Sequence, residues 1–464
     1  MDSRATAKPP WCWKTVDFLP GFPIQARPPF VLRFCSWDEG STDSFLHEAK
    51  EQISVYEKFH VWELAKKMAN PYEVIYTQDD LHFHPSLCIL KPLSRSFYKM
   101  IEILTVLNFF DRLPKSLQKL RSAHVAEGPG GFIEAFLHLA EKTQRQGKQV
   151  VSAHAMTLRP TDSHTPGWRR AMTFLQKHKE VILEYGPDNT GDIYHKCNQD
   201  EFVRKCGRGV HFFTADGGFD FSLDYSLQEK KVYHLLVCSV LIGLQVLLPG
   251  GALIVKIFDI QSAHTQILCS LVGSCFREWS LYKPATSRPC NSERYLLCRD
   301  YRGVNKDVLS MLASIETEVA SNRYPVAEIP AAEQAYFART TAAIVDLQKE
   351  SLQKAKHYIN NPQSWSRAFS ESHFFTASEW CSYHSMPFLQ KQPNPIAVQA
   401  VVSQMSERVA VLRSRSLDVE TSRPLPSGQA EPTLYADSDE TRAQSSGLSQ
   451  IDEDNREQIQ ADAP

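Results

Sequence analysis

The sequence predicts an α/β protein built on a mostly parallel sheet with helices on both faces. Helical stretches separate most of its short apolar strand candidates, and strands that alternate with helices favour parallel pairing. The last two candidates are only ten residues apart, too few for a crossover helix, so an antiparallel, hairpin-like edge is expected. The strand candidates are 123–126, 149–156, 180–185, 210–215, 251–258, 277–283 and 294–298, and the clearest helix is 226–248.

Length and composition allow more than one domain. The 464 residues are 42% hydrophobic and 11% aromatic, which is enough for a large core. We predict an N-terminal, partly helical extension at 1–75 and the α/β domain at 76–302. A helical region at 303–415 and an acidic, disordered tail at 416–464 are predicted to follow.

Charge and cysteine usage indicate the setting. Residues from Leu417 to Pro464 include 11 acidic and 3 basic side chains, although the net charge of the whole chain is only −2. The remainder is therefore mildly basic, which suits an anionic partner. Eleven cysteines without a C-x-x-C pair indicate reduced thiols in a nuclear or cytosolic protein. The opening residues lack a long apolar run, so neither a signal peptide nor a membrane span is expected.

A glycine turn interrupts the chain at "VAEGPGGFIEAF" (125–136). An apolar run ends at Glu127, and helical spacing resumes at Phe132. Ile133 stands where a dinucleotide fingerprint needs its third glycine, and no Gly-Lys-Ser/Thr of a P-loop follows. The turn suits a small flat cofactor such as S-adenosylmethionine, but it also fits a purely structural turn.

Two carboxylates follow the third predicted strand. Asp188 and Asp192 lie in "EYGPDNTGDIYHK" (184–196), and loops at this edge of a doubly wound sheet contact the ligand. Either carboxylate could accept from an adenine amino group or from ribose hydroxyls. Both are also ordinary turn formers.

Four further ionisable residues lie near predicted strand or helix ends. Asp216 follows the fourth strand, Glu293 opens the last one, and Lys256 interrupts an apolar run, which is costly unless the amine is paired or reaches solvent. Lys99 lies on a predicted helix in "LSRSFYKMIEIL" (93–104), away from the apolar stripe formed by Phe97, Met100, Ile101 and Leu104. Alone, Lys99 is typical of a solvated helix lysine.

As an ordered set these motifs resemble a known family. "SRSFYK", "EGPGGF", "FTADGG", "LIVKIF" and "KPATSRPCNSERY" follow one another as in the FtsJ/RrmJ-like ribose 2′-O-methyltransferases, over about residues 90–302. "GPDNTGDI" and "TADGGFD" look most like the cap-specific mRNA 2′-O-methyltransferase 2 (Adrift-type) branch. The resemblance implies a Rossmann-like methyltransferase fold with a seven-stranded, mostly parallel sheet and an antiparallel edge strand. It maps the family's Lys-Asp-Lys-Glu tetrad to Lys99, Asp216, Lys256 and Glu293.

The resemblance also implies S-adenosylmethionine as cofactor and capped RNA as substrate. The expected cofactor-binding residues are Glu127, Gly128, Pro129, Gly130, Gly131, Phe132, Asp192 and Asp216. Capping or transcription machinery could be further partners, and a nuclear location is expected, with the cytoplasm as the alternative. No membrane partner is expected, and no metal either, because no phosphoryl group is transferred.

Basic and aromatic side chains are candidates for RNA contacts. The basic candidates are Arg95, Lys283, Arg288 and Arg294, each of which could equally be an ordinary charged side chain. The aromatic segments "PPWCWKTVDF" (9–18) and "HVWELAKK" (60–67) could stack on a base or simply pack against the core.

The tetrad suits methyl transfer to a ribose hydroxyl, which must lose its proton as it attacks. We expect Lys256 to act as the base, although a lysine near its ordinary pKa of about 10.4 is mostly protonated at neutral pH. A second cation, Lys99, would lower the pKa of Lys256, whereas Asp216 would raise it. Glu293 would orient Lys99 or the attacking oxygen.

Three other functions stay open. Ribosomal or transfer RNA could be the substrate, or the chain could be a non-catalytic RNA-binding subunit on the same fold. The four intact tetrad positions argue against the non-catalytic alternative. A dinucleotide-dependent oxidoreductase is disfavoured by Ile133.

Overall fold

The computed structural model describes residues 17–23, 30–38, 56, 60–76, 86–143, 149–160, 167–207, 209–218, 228–391 and 395–421. Most of the predicted N-terminal helix and nearly all of the predicted acidic tail lie outside these residues. The chain divides into two units, Met1–Arg415 and Ser416–Pro464.

The main sheet has eight strands in the order β1-β8-β9-β7-β6-β3-β4-β5. The strands from β7 to β5 pair in parallel, and β9 is antiparallel to both β7 and β8. The bounds are β1 Leu19–Pro20, β3 Lys119–Val125, β4 Gln149–Met156, β5 Val181–Glu184, β6 Val210–Ala215, β7 Leu247–Ile257, β8 Phe276–Tyr282 and β9 Arg294–Tyr301. A separate antiparallel pair joins β2 (Arg33–Cys35) to β10 (Tyr324–Val326).

The seven predicted strands are all present, which confirms the fold class. The hairpin-like antiparallel pairing of β8 and β9 is also found, but β9 is inserted between β8 and β7, so β8 and not β9 is the outermost of the seven predicted strands at this edge. An eighth strand, Leu19–Pro20, pairs antiparallel with β8 at that edge, where Gly21 N–H donates to the Arg277 carbonyl at 2.8 Å. Its residues belong to "FLPGFP", a segment that the sequence indicates only as turns.

Helices cover the sheet and extend beyond it. Their bounds are α1 Val61–Met68, α2 Ser96–Leu107, α3 Phe109–Arg112, α4 Gly131–Thr143, α5 Met172–Lys177, α6 Lys196–Cys206, α7 Gln228–Val246, α8 Ala263–Ser274, α9 Lys306–Ala320, α10 Ala331–Asn360, α11 Ser364–Ala368, α12 Phe374–Tyr383 and α13 Pro395–Thr421. A 3-10 helix spans Pro71–Ile75, another spans Arg169–Ala171, and a π-helix spans Phe369–His373. Within the described part of the chain, none of these helices combines the length and apolarity needed to cross a bilayer.

Alternate side chains of β6 show how both faces are covered. Phe212 points to one face, where its ring stacks on Phe136 of α4 with centroids 4.8 Å apart. The next residue, Phe213, points to the other face and joins the core formed with α7 and α8. Both rings are fully buried. A strand that is apolar on both faces is what the predicted two-sided cover requires.

The helices after β9 include α11 and α12, which pack against the buried side chains of α1 and α2. Trp365 of α11 donates its indole N–H to the Met68 carbonyl at 3.1 Å, and Trp380 of α12 donates to Glu102 Oε2 at 3.0 Å. Both indoles are completely buried. These helices therefore share a hydrophobic core with α2, the helix that carries Lys99.

Candidate active site

Sheet register explains how three of the tetrad positions meet. Ala215 of β6 pairs with Val255 of β7, so Asp216 and Lys256 follow on neighbouring parallel strands. Lys256 itself pairs with Tyr295 of β9, two residues after Glu293. Strand ends alone thus bring an aspartate, a lysine and a glutamate to one edge of the sheet.

Lys99 reaches this edge from α2. The predicted apolar stripe of the helix is buried, which turns Lys99 toward the loop before β9. Its Nζ lies 2.7 Å from Glu293 Oε1 and 2.9 Å from Oε2. Lys99 is thus a largely buried member of an ion pair, with a side chain 16% exposed, and not a solvated helix lysine.

The second ion pair joins Lys256 to Asp216. The Lys256 Nζ lies 3.3 Å from Asp216 Oδ1 and donates to the Asp216 carbonyl at 2.6 Å. Tyr295 donates its hydroxyl to the same Oδ1 at 3.0 Å. Lys256 also interacts electrostatically with Glu293, which links the two pairs. The structure therefore brings all four tetrad residues into one cluster.

The charges of the cluster decide the protonation of Lys256. Burial lowers the pKa of the amine, but Asp216 and Glu293 outweigh burial, so the pKa is raised above its ordinary value. In the free protein, the lowering of the Lys256 pKa expected from Lys99 is therefore not the dominant effect. For Glu293, burial opposes ionisation, yet Lys99 and Lys256 hold its pKa well below the ordinary value.

The loop between β8 and β9 holds Glu293 in place. Ser287 donates to Glu293 Oε1 at 2.8 Å, and Lys283 donates to the Glu293 carbonyl at 2.8 Å. Lys283 also donates to the side chain and the carbonyl of Asn291, both at 2.9 Å. These contacts fix the backbone and one carboxylate oxygen of Glu293 before any substrate arrives.

The glycine turn packs closely against its neighbours. Gly130 has φ +103°, a conformation that side chains rarely adopt. A Cβ on Gly131 would lie 2.2 Å from Ser96 Oγ at the start of α2. The turn and the helix that carries Lys99 are therefore in direct contact, and this contact requires a glycine.

Two acidic residues mark the place that suits a cationic ligand. Val125 of β3 pairs with Ala215 of β6, so Glu127 and Asp216 emerge near each other. Thr214 donates its hydroxyl to Glu127. Burial, reinforced by Asp216, raises the pKa of Glu127 well above its ordinary value. S-adenosylmethionine carries an ammonium and a sulfonium, and such positive charges fit this carboxylate pair.

Phe132, another predicted cofactor residue, has its side chain in the core. The ring is fully buried, with its centroid 5.7 Å from that of Tyr295. Only its backbone is available to a ligand in the turn. Gly128 and Pro129 lie in the same turn, as predicted.

The two aspartates after β5 differ in how they are used. Asp188 Oδ1 accepts from the Thr190 backbone and hydroxyl at 2.9 and 2.8 Å, and Oδ2 lies 2.5 Å from His195 Nδ1. Both oxygens of the Asp188 carboxylate therefore already have partners within the same loop. Asp192 Oδ1 accepts from the Tyr194 N–H at 2.8 Å, and Asp192 stays a predicted cofactor residue.

The four basic candidates for RNA contacts all make internal contacts. Arg95 and Arg288 both pair with the buried Glu73, at 3.2 and 2.9 Å. Lys283 and Arg294 are 3% and 1% exposed. Of the aromatic candidates, Trp62 is buried in the core, and residues 9–16 lie outside the described residues. Internal packing is thus the better interpretation for the four basic side chains and for Trp62.

Sequence reasoning missed several residues that support the tetrad. Tyr295 could have been found, because alternation along a strand places it on the same side as Glu293. Glu73 and Glu102 left no such signal, because their partners are distant in sequence. Arg288, for example, lies 215 residues from Glu73.

Part of the chain is similar to known proteins. The family model "FtsJ-like methyltransferase" matches residues 92–301. The cap-specific mRNA (nucleoside-2′-O-)-methyltransferase 1 of Xenopus laevis is 32% identical over 268 residues, covering 54% of this chain and 29% of its own length. The methyltransferase 2 of Danio rerio is 31% identical, covering 55% of this chain and 34% of its own, and the human methyltransferase 1 is 31% identical, covering 60% and 33%.

The aligned part spans about a third of the length of these relatives. A solved structure from Plasmodium falciparum, assigned as a ribosomal RNA methyltransferase, is 18% identical with a TM-score of 0.29, covering 46% of this chain and 99% of its own. The family match coincides with the stretch that carries the glycine turn and all four tetrad residues. Residues 92–301 therefore form an FtsJ-like methyltransferase domain.

Proposed function

We propose that this protein is an S-adenosylmethionine-dependent RNA ribose 2′-O-methyltransferase that acts on cap-proximal nucleotides of mRNA (cap-1/cap-2 type). The observation that carries the proposal is the cluster of two ion pairs, Lys99–Glu293 and Lys256–Asp216, beside the glycine turn. The names of the relatives, which are cap-specific mRNA methyltransferases of types 1 and 2, support the choice of substrate.

The cofactor, when bound, supplies a methyl group on a positively charged sulfur. Lys256 is the residue that accepts the proton of the 2′-hydroxyl. Its pKa is raised by Asp216 and Glu293 in the free protein, so the amine must first become neutral. A cation held beside Asp216 offsets the charge of that carboxylate and lowers the pKa of Lys256. The positive charge of the bound cofactor and the pKa of Lys256 are thereby coupled through Asp216.

The other ion pair positions the substrate. Lys99 and Glu293 are held by α2 and by the loop before β9, so their charged groups have little freedom. A hydroxyl between them and Lys256 is oriented by fixed donors and acceptors, and such positioning supplies much of the acceleration in enzymes. The step transfers no phosphoryl group and so requires no metal ion.

Capped RNA is the proposed partner, together with the capping or transcription machinery, and the nucleus is the proposed location. The alternative keeps the chemistry but moves it to ribosomal or transfer RNA. Capped and uncapped RNA of one sequence separate these two functions when the 5′-terminal nucleotides are analysed by mass spectrometry. Methylation that depends on the cap supports the proposal, and equal methylation of both RNAs supports the alternative.

The first prediction concerns Lys256→Ala. We expect the rate of methyl transfer to fall by roughly a thousandfold or more, because both a base and the partner of Asp216 are lost. The affinity for S-adenosylmethionine, measured by calorimetry, should stay within several-fold of the wild type.

The matched control is Lys306→Ala, an exposed lysine at the start of α9, which should leave the rate unchanged. Lys256→Ala protein that retains activity within several-fold removes Lys256 from this role. No methylation of any RNA by the wild type would indicate a non-catalytic RNA-binding protein.

A further inference from the structure

A histidine, a cysteine and a glutamate meet away from the tetrad. His234 and Cys238 lie on α7, and Glu316 lies on α9. One ligand atom from each residue lies within 4.8 Å of the other two. We propose that these three side chains bind one divalent metal ion of the zinc class, with a role in holding the fold together.

Helix geometry makes the cluster. His234 and Cys238 are four residues apart, so they lie on the same face of α7, one turn from each other. That face packs against α9, and the Cys238 thiol donates to Glu316 Oε1 at 3.4 Å. The three donors thus come from two rigid helices and not from a flexible loop.

The donor set matches zinc chemistry. Thiolate, imidazole and carboxylate are the ligands of Zn²⁺, at about 2.0–2.3 Å from the ion. In a tetrahedral site such donors lie roughly 3.3–3.8 Å apart. Donors already within 4.8 Å therefore need shifts of only about 1 Å to enclose an ion. His234 and Glu316 are half-buried, which leaves a side from which solvent can supply a fourth ligand.

Neighbouring groups orient the proposed ligands. Gln199 donates its amide to Glu316 Oε1 at 2.5 Å and to the Ile193 carbonyl at 2.8 Å. The ring of Tyr194 stacks on His234 with centroids 4.6 Å apart. Partners of this kind fix the orientation of ligands in metal sites.

A second observation is an unpaired oxygen beside the cluster. Gln199 is completely buried, and its Oε1 has no hydrogen-bond partner among the described residues. Buried polar atoms are normally paired, and an exception calls for an explanation such as an ion or a water molecule. The Nε2 of the same amide donates to Glu316, so an ion bound by Glu316, or a water molecule on that ion, would lie near this amide group.

An ion here would join three parts of the chain. The loop after β5, which contains Ile193 and Tyr194, contacts the proposed ligands, and α7 and α9 supply them. The site lies outside the tetrad, so it acts on stability. The competing interpretation is a hydrogen-bonded cluster without a metal, in which the thiol keeps its proton.

The test uses the full chain, stripped of metal with a chelator. Titration with Zn²⁺ alone should show one ion per chain bound with submicromolar affinity, and titration with Co²⁺ should produce the absorption band of a thiolate–metal bond. Added Zn²⁺ should also raise the melting temperature of the stripped protein. No stoichiometric binding, or Co²⁺ binding without a thiolate band, overturns the proposal.

Variants locate the ion. Cys238→Ala should abolish the Co²⁺ thiolate band, and both Cys238→Ala and His234→Ala should weaken Zn²⁺ binding by roughly a hundredfold or more. Cys269→Ala, which alters another fully buried helix cysteine, is the matched control and should bind like the wild type. Unchanged Zn²⁺ affinity in Cys238→Ala assigns the ion to another place and also overturns the proposal.

Discussion

Glu102 and Glu293 are two buried carboxylates whose environments have opposite effects. The amines of Lys99, Lys256 and Lys283 hold the pKa of Glu293 well below its ordinary value despite burial. Around Glu102 the donors are neutral, and burial raises its pKa to about 7. Equal burial therefore does not fix the charge of a carboxylate; the charge of its partners does.

Glu102 and Glu293 also differ in what they hold in place. Glu102 lies one turn after Lys99 on α2 and accepts from Tyr282 at 2.5 Å, Ala285 N–H at 2.7 Å and Trp380 at 3.0 Å. It thereby anchors the β8–β9 loop and α12 to the helix that carries Lys99. Glu293, at the other end of that loop, stays ionised and pairs with Lys99. One carboxylate holds the scaffold, and the other keeps a charge at the site.

Among the buried carboxylates, the largest effect is expected for Glu293→Gln. An amide cannot balance Lys99, so kcat/KM should fall by roughly a hundredfold or more. Glu293 also raises the pKa of Lys256, so its removal should lower that pKa. Since the neutral amine is the active form, the residual activity should reach its alkaline plateau at lower pH than in the wild type.

The measurement is kcat/KM against pH, which reports the ionisation of the free enzyme. A rise of the apparent pKa, or no change in it, would show that Glu293 does not control the protonation of the base. The size of the rate loss alone would not separate these cases, so the direction of the shift is the decisive result.

A third buried carboxylate tests whether the cationic environment matters outside the site. Burial opposes ionisation of Glu73, but Arg95 and Arg288 outweigh it and lower the pKa to about 2. Glu73→Gln should lower the free energy of unfolding by about 2–4 kcal/mol at neutral pH, because two arginines lose their anion. Urea denaturation measures this loss.

The lowered pKa of Glu73 fixes the direction in which its contribution to stability changes with pH. A lowered carboxylate pKa contributes stability above the unfolded-state pKa of about 4.3, and this contribution is lost as the pH falls toward 2. The difference between wild type and Glu73→Gln should therefore shrink below about pH 4. Glu63→Gln, which alters a half-exposed partner of Lys66, is the control and should cost less than about 1 kcal/mol. A difference that persists at acid pH would contradict the ion-pair account.

The sequence predicts what depends on short-range pattern. Apolar runs mark the strands within a few residues. They also place Asp216, Lys256 and Glu293 at one edge, because the parallel strands β6 and β7 end there and the antiparallel strand β9 begins there. Helical periodicity also predicts the side of α2 on which Lys99 lies.

What the sequence does not reveal is which charges meet across long separations. Arg95 and Arg288 look like candidates for RNA contacts until Glu73 is found between them in space. The i, i+4 spacing of His234 and Cys238 is visible in the sequence, but Glu316 joins them only through packing of α7 on α9. Likewise, nothing near Glu102 in sequence indicates that all its close partners are neutral.

The smallest effect is expected for Glu102→Gln, and its dependence on pH is opposite to that of Glu73. A raised carboxylate pKa contributes stability that is complete below the unfolded-state pKa and is lost as the pH rises through about 7. At about pH 5 the variant should be less stable by about 1–2 kcal/mol, because the new amide group faces donors such as the Trp380 indole. Above about pH 7 the wild type bears a buried charge that the variant lacks, so the difference should vanish or reverse. Urea denaturation at both pH values decides the matter. A constant difference would mean that Glu102 is ionised throughout, and then neutral donors alone would suffice to hold a buried carboxylate in its charged form.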